Sequence, residues 1–130
     1  LEYILLVLWL IAGFAEAIQD VLTFHFSTSI FRNVRTDAFF GAPMATKGSW
    51  TRKYKNGDYR AGPAFWGSTT IFVAFTDAWH LCQLFSRRLP LAVTLAFWVF
   101  GPPIDIWAAA LVIPLNIATF HFAYNWMKRA

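Results

Sequence analysis

Two stretches of about 20 residues, 4–26 and 104–127, are almost entirely apolar, and a third apolar block covers 65–100 with few interruptions. A spanning helix needs about 20 mostly apolar residues at 1.5 Å rise per residue to cross the hydrocarbon of a bilayer. In water such runs would have to be buried, yet a chain of this length buries only about two-thirds of its surface on folding. With 58% hydrophobic, 19% aromatic and 14% charged residues there is too little polar surface to cover the rest. The expected solvent is therefore lipid, and the expected fold is an all-α, polytopic integral membrane bundle forming one domain over 1–130.

The apolar runs divide into spans at 4–26, 65–86, 89–100 and 104–127. "GPPID" at 101–105 places two prolines beside a glycine, which removes backbone donors and breaks a helix. That division predicts four helices. The 89–100 piece is short, so it is alternatively re-entrant or half of one kinked helix, which reduces the count to three. A kink is expected at Pro114, where neighbouring groups in a membrane bundle can satisfy the freed carbonyl. The N-terminal "LLVLWLIAGFAEA" has the apolar core and A-x-A end of a secretory signal but no basic flank, and is expected to be retained.

Charge gives a direction. Seven of the eleven Lys and Arg residues lie in the connection 32–64, against two acids, Asp37 and Asp58. The positive-inside rule puts this connection on the cytoplasmic side and the N-terminus on the opposite side. Arg87 and Arg88 would then sit in a short outer loop. Within the connection, Arg52, Lys53, Lys55 and Arg60 alternate with Trp50, Tyr54 and Tyr59, a pattern suited to lipid headgroups or a docking partner. Nucleic acid can also be held by cations and stacked rings, but beside a bilayer the lipid reading is preferred. No phosphate-cradling glycine loop is present.

Ionisable groups at membrane depth cost about 2.5–3.5 kcal/mol on insertion scales, so they face a bundle interior, a cavity or another chain. Glu16, Asp20, Asp77 and Asp105 lie in or at the ends of the predicted spans. Glu16 and Asp20 are four residues apart and share a helix face. Gly13 and Ala17, also four apart, form a small-x-x-x-small pair that admits a close neighbour. Thr70, Asp77 and His80 would lie on one stripe of a helix beginning near Ser68, whose hydroxyl is the expected cap. Asp77 and His80, three apart, resemble half of a carboxylate and histidine metal site.

Four spans would make the second and fourth helices parallel, with His80 and His121 each six residues from a helix end and therefore at one depth. In that arrangement His80 and His121, helped by Asp77 and Glu16, would be candidate ligands for haem or a transition metal, or a proton route. The lone Cys82 offers neither a disulfide nor a zinc pair. The repeated tetrapeptide "TFHF" at 23–26 and 119–122 fades outside its immediate neighbours and is not read as a structural repeat.

No nucleophile elbow, H-E-x-x-H or Ser-His-Asp arrangement is found, so no reaction class follows. Three functions are consistent with the sequence. The first is a helical subunit or interaction partner in a membrane assembly, as a homo-oligomer or with other membrane chains. The second is a proton or ion transporter working through Glu16, Asp20, Asp77 and His80, and the third a membrane metal or haem protein.

Overall fold

The computed structural model describes residues 2–101 and 106–128. Among these the protein is all-helical apart from one isolated bridge between Tyr54 and Pro63. Helix α1 covers Glu2–Phe24 and helix α4 covers Ile106–Lys128. Both are long and apolar enough to cross a membrane. Between them, α2 (Ala78–Gln83), a π-helical turn (Leu84–Arg88) and α3 (Leu89–Phe100) follow one another without a gap. The joints at Gln83, Leu84, Arg88 and Leu89 all keep right-handed helical angles, so 78–100 is one continuous rod.

This rod differs from the expected second and third spans. Residues 65–77 form turns and one short 3-10 segment, and the helix begins ten residues after Ser68. The expected stripe of Thr70, Asp77 and His80 therefore does not exist, because Thr70 lies in a turn. The described residues contain three long helical rods where four spans were expected. Pro90 explains why the rod survives a proline. It has no N–H to give the carbonyl of Ser86, and its ring crowds that carbonyl; the wider π turn immediately before it relieves both problems. At Pro114, α4 likewise continues as helix. Residues 102–105, including Asp105, lie outside the described residues.

The register between rods is set by small residues and a few polar contacts. On α1, Ala17 and Val21 pack against Ala123 and Met127 of α4. Further along, Gly13 meets the Asn116 backbone so closely that a Cβ there would fall 2.5 Å from its carbonyl oxygen. The Asn116 amide also donates to the Trp9 carbonyl at 2.9 Å. Residue numbers thus rise together on the two helices, so α1 and α4 are parallel. Gln19 and Thr23 meet Trp79, and Gln19 meets Ser86, while Thr94 lies beside Leu5, Leu6 and Trp9. The 78–100 rod therefore runs antiparallel to both.

The long connection 25–77 is wired internally although it holds no long helix. Trp50 donates to the Ala45 carbonyl at 3.0 Å, and Thr36 to the Lys47 carbonyl at 3.0 Å. Lys53 is tied to the later turn through its carbonyl, which accepts from Ser68 Oγ at 2.7 Å and Ala64 N at 2.9 Å. Ser68 is thus a strut of the connection and not a helix cap. The connection is fastened to the rods at two points: Ala78 N donates to the Phe39 carbonyl at 2.8 Å, and Ile30 N to the Met127 carbonyl at 3.0 Å.

Candidate functional site

Among the described residues Asp77 is the most enclosed ionisable one, with essentially no exposed surface. It stands in extended conformation just before α2, where four backbone N–H groups lack helical partners. Its Oδ1 accepts from the His80 backbone N at 3.0 Å, which makes it the N-cap. Its Oδ2 lies 2.8 Å from His80 Nδ1 and 3.0 Å from Thr76 Oγ1. The i,i+3 spacing read from the sequence does bring Asp77 and His80 together, but the aspartate precedes the helix and folds back over its first turn. Arg52 Nε reaches the Thr76 carbonyl at 2.8 Å, so one of the candidate headgroup-binding cations also clamps this corner.

Beside this clamp lies a polar seam between α1 and α2 that the sequence reading did not single out. Gln19 donates from Nε2 to the Trp79 carbonyl at 3.2 Å and accepts at Oε1 from Ser86 Oγ at 2.9 Å. Trp79 Nε1 donates to Thr23 Oγ1 at 3.1 Å, and that hydroxyl donates to the Gln19 carbonyl at 2.7 Å. Gln19 and Ser86 are buried. The only sequence signal was four neutral polar residues at helical spacing inside apolar runs.

Glu16 and Asp20 are half-buried and belong to a different surface. By helical spacing they fall on the strip of α1 between the face packed on 78–100 (Ala12, Ala15, Gln19, Leu22) and the face packed on α4 (Gly13, Ala17, Val21). Glu16 lines a 160 Å³ groove with Asn116, Ile117, Phe120 and His121. Along the same side of the bundle, a 390 Å³ cavity opens between α1, α3 and α4, lined mainly by Leu5, Trp9, Ala109, Val112 and Ile113. Thr94 is its α3 wall, and the Thr94 hydroxyl has no hydrogen-bond partner among the described residues.

The candidates Glu16, Asp20, Asp77, His80 and His121 therefore separate into two groups: Asp77 with His80 at the start of α2, and Glu16 with His121 in the α1–α4 groove. Asp20 sits one turn from Glu16. The parallel-helix argument that set His80 and His121 at one depth does not hold, since their rods run in opposite directions. Among the described residues, no three His, Cys, Asp or Glu side chains are grouped so as to hold a metal ion. His25 closes α1 and meets the Tyr124 ring edge-on at 5.5 Å.

Of the remaining cations, Lys53 lies over the Tyr54 ring at 5.5 Å, and Arg60 packs on Tyr59, with Nε 3.1 Å from the phenol oxygen. The Lys55 backbone N donates to the Gly62 carbonyl at 3.0 Å, leaving its side chain exposed. Arg35 forms a two-point pair with Asp37, at 3.1 and 2.7 Å. Through that hydrogen-bonded pair, the guanidinium holds the Asp37 carboxyl below the usual carboxylate range. Arg87 and Arg88, expected in an outer loop, are instead exposed in the middle of the 78–100 rod and make no ion pair among the described residues. Comparison with known proteins gives no matching family model, no matching curated protein and no matching solved structure.

Proposed function

We propose that the chain is an integral membrane protein in which α1, 78–100 and α4 all cross the bilayer, and that it serves as a helical subunit of a membrane assembly. Exposed rings support the depth: Tyr3, Trp98, Phe100 and Trp107 stand at one end of the rods, Phe24 and Trp126 at the other. The 19 helical steps from Trp107 to Trp126 span about 28 Å, close to a hydrocarbon thickness flanked by aromatic belts. In this arrangement the basic connection and the end of α4 share the cytoplasmic side, and the N-terminus lies opposite.

The observation that carries the subunit reading is the pair Arg87 and Arg88. The contact between Gln19 and Ser86 fixes their level: about 13 Å along the rod from Ala78, near the depth of Glu16, which is about 12 Å from Phe24. Two exposed guanidinium groups at that depth need carboxylates of another chain, of the same or a different kind, or lipid phosphates reached by their long side chains. α4 leaves room for such a neighbour: 6% of its apolar span is buried, against 39% for α1. Native mass spectrometry from a mild detergent tests this. An oligomer or companion chain lost in Arg87→Gln/Arg88→Gln is expected, and a stable lone monomer would contradict the subunit role.

A second reading, proton or ion transfer, is favoured by the groove shared by Glu16 and His121. Flux into liposomes that is abolished by Glu16→Gln would support it. The Asp77 and His80 pair adds little to that reading, because Asp77 is fully buried, with one carboxylate oxygen capping α2 and the other held by the His80 ring and the Thr76 hydroxyl. A metal or haem bound by His80 and His121 together gains no support, since His80 stands at the start of α2 beside Asp77 while His121 opens into the separate α1–α4 groove.

A further inference from the structure

Residues 65–75, "FWGSTTIFVAF", are the most apolar part of the connection and are not buried by it. Trp66 is 78% exposed, Ile71 69% and Phe75 63%, with Phe65 and Phe72 also exposed. Trp66, Phe72 and Phe75 form one run of rings, with centroids 5.8 and 6.3 Å apart. An exposed apolar patch of this kind marks a contact surface. Its fold is held by Gly67, whose φ of +77° and lack of a Cβ let the Phe72 ring close over the turn.

We infer that this turn is an interfacial anchor that inserts its Trp66, Ile71 and Phe75 side chains into the anionic leaflet next to the helix ends. The inference rests on the membrane reading above. Three observations point to lipid as the occupant. Phe75 is three residues before α2, so chain connectivity places the turn at the edge of the bilayer. Part of the backbone of the turn is self-satisfied, with the carbonyls of Phe65, Gly67, Phe72 and Val73 each accepting from an N–H inside or directly after it. Such a segment can leave bulk water without stranding those groups. Finally, the Lys53 carbonyl holds Ser68 and Ala64, so the turn is fastened to the strip bearing Lys53, Lys55 and Arg60. Exposed rings fastened to a strip of cations match the composition of a segment held at the headgroup boundary of an anionic surface.

The experiment places a nitroxide at Ile71→Cys, in a Cys82→Ser background, on the whole protein in phosphatidylglycerol nanodiscs. Val7→Cys on α1 and Arg60→Cys on the basic strip are the references. The ratio of collisions with oxygen to collisions with a water-soluble nickel chelate reads the depth. At Ile71 this ratio is expected several-fold above that at Arg60 and close to that at Val7. It is also expected to fall towards the Arg60 value when Lys53, Lys55 and Arg60 are replaced by Gln. An Ile71 ratio equal to that of Arg60, with Val7 still oxygen-favoured, overturns the anchor and leaves the membrane reading standing. A nickel-favoured Val7 overturns both. An Ile71 ratio indifferent to the loss of the three cations removes the electrostatic half of the inference. A second label at Trp66→Cys repeats the reading should Ile71→Cys fail to fold.

Discussion

Replacing Asp77 separates a capping role from a proton-carrying one. Asp77→Ala removes the acceptor for the His80 backbone N–H and strands the donors that converge on its other oxygen. Loss of an N-cap costs about 1 kcal/mol, and an orphaned buried donor about 1–3 kcal/mol. Thr76 softens the second cost, since its hydroxyl also lies 2.8 Å from the Val73 carbonyl. The sum is about 2–4 kcal/mol of destabilisation. Asp77→Asn should cost under about 1 kcal/mol, because asparagine is as good a cap and its amide can donate to Nδ1 of a neutral imidazole protonated on Nε2. His80→Ala keeps the backbone N–H and loses only the ring contact, so it should fall between the two. Denaturant titration of the three variants in micelles, followed by tryptophan fluorescence, gives the order. Asp77→Asn as damaging as Asp77→Ala, or neither differing from the parent, would refute the capping account.

The close approach of α1 and α4 makes Gly13 sensitive to any side chain. Gly13→Val would drive methyl groups into the Asn116 backbone and should destabilise the pair by about 1–3 kcal/mol, as overpacking does, while Val7→Ala on the exposed face of α1 should be close to neutral in the same titration. In the connection, Arg35→Gln should raise the Asp37 titration midpoint, read by carbon NMR of the carboxyl. Because the folded-state value is depressed, any stability from this exposed pair is present above the ordinary carboxylate pKa and is lost as pH falls through the depressed value. An unmoved midpoint would remove Arg35 as the cause.

The ends of the chain were legible because α1 and α4 are plain runs of spanning length. The middle was not, because hydrophobicity alone does not separate an exposed aromatic turn from half a helix. By hydrophobicity the 65–75 run reads as helical, although its Gly67-Ser68-Thr69-Thr70 cluster is of the kind that marks a loop. The true start was written at Thr76-Asp77, a capping residue ahead of a helical stretch. The break expected at Arg87-Arg88 is absent, because the sequence does not announce the π turn that carries the helix on to Pro90. Joining 78–100 into one rod reverses the direction of α4 relative to it, which separates His80 from His121 and gives Glu16 its groove with His121. The contacts of Gln19 and Thr23 with Trp79 and Ser86 are not legible in the sequence, because neutral polar residues carry little signal until the register between helices is fixed.

That register is the central claim: three rods, with α1 parallel to α4 and both antiparallel to 78–100. The direct measurement is labelling of single cysteines by a membrane-impermeant maleimide, added from one side or both, in sealed vesicles of the Cys82→Ser protein. Sites are Tyr3→Cys, Lys55→Cys, Gly101→Cys and Lys128→Cys. Three crossings predict that Lys55 and Lys128 react from one side, and Tyr3 and Gly101 from the other. Reaction of Gly101 together with Lys55, and of Lys128 together with Tyr3, is the four-span pattern and would contradict the account.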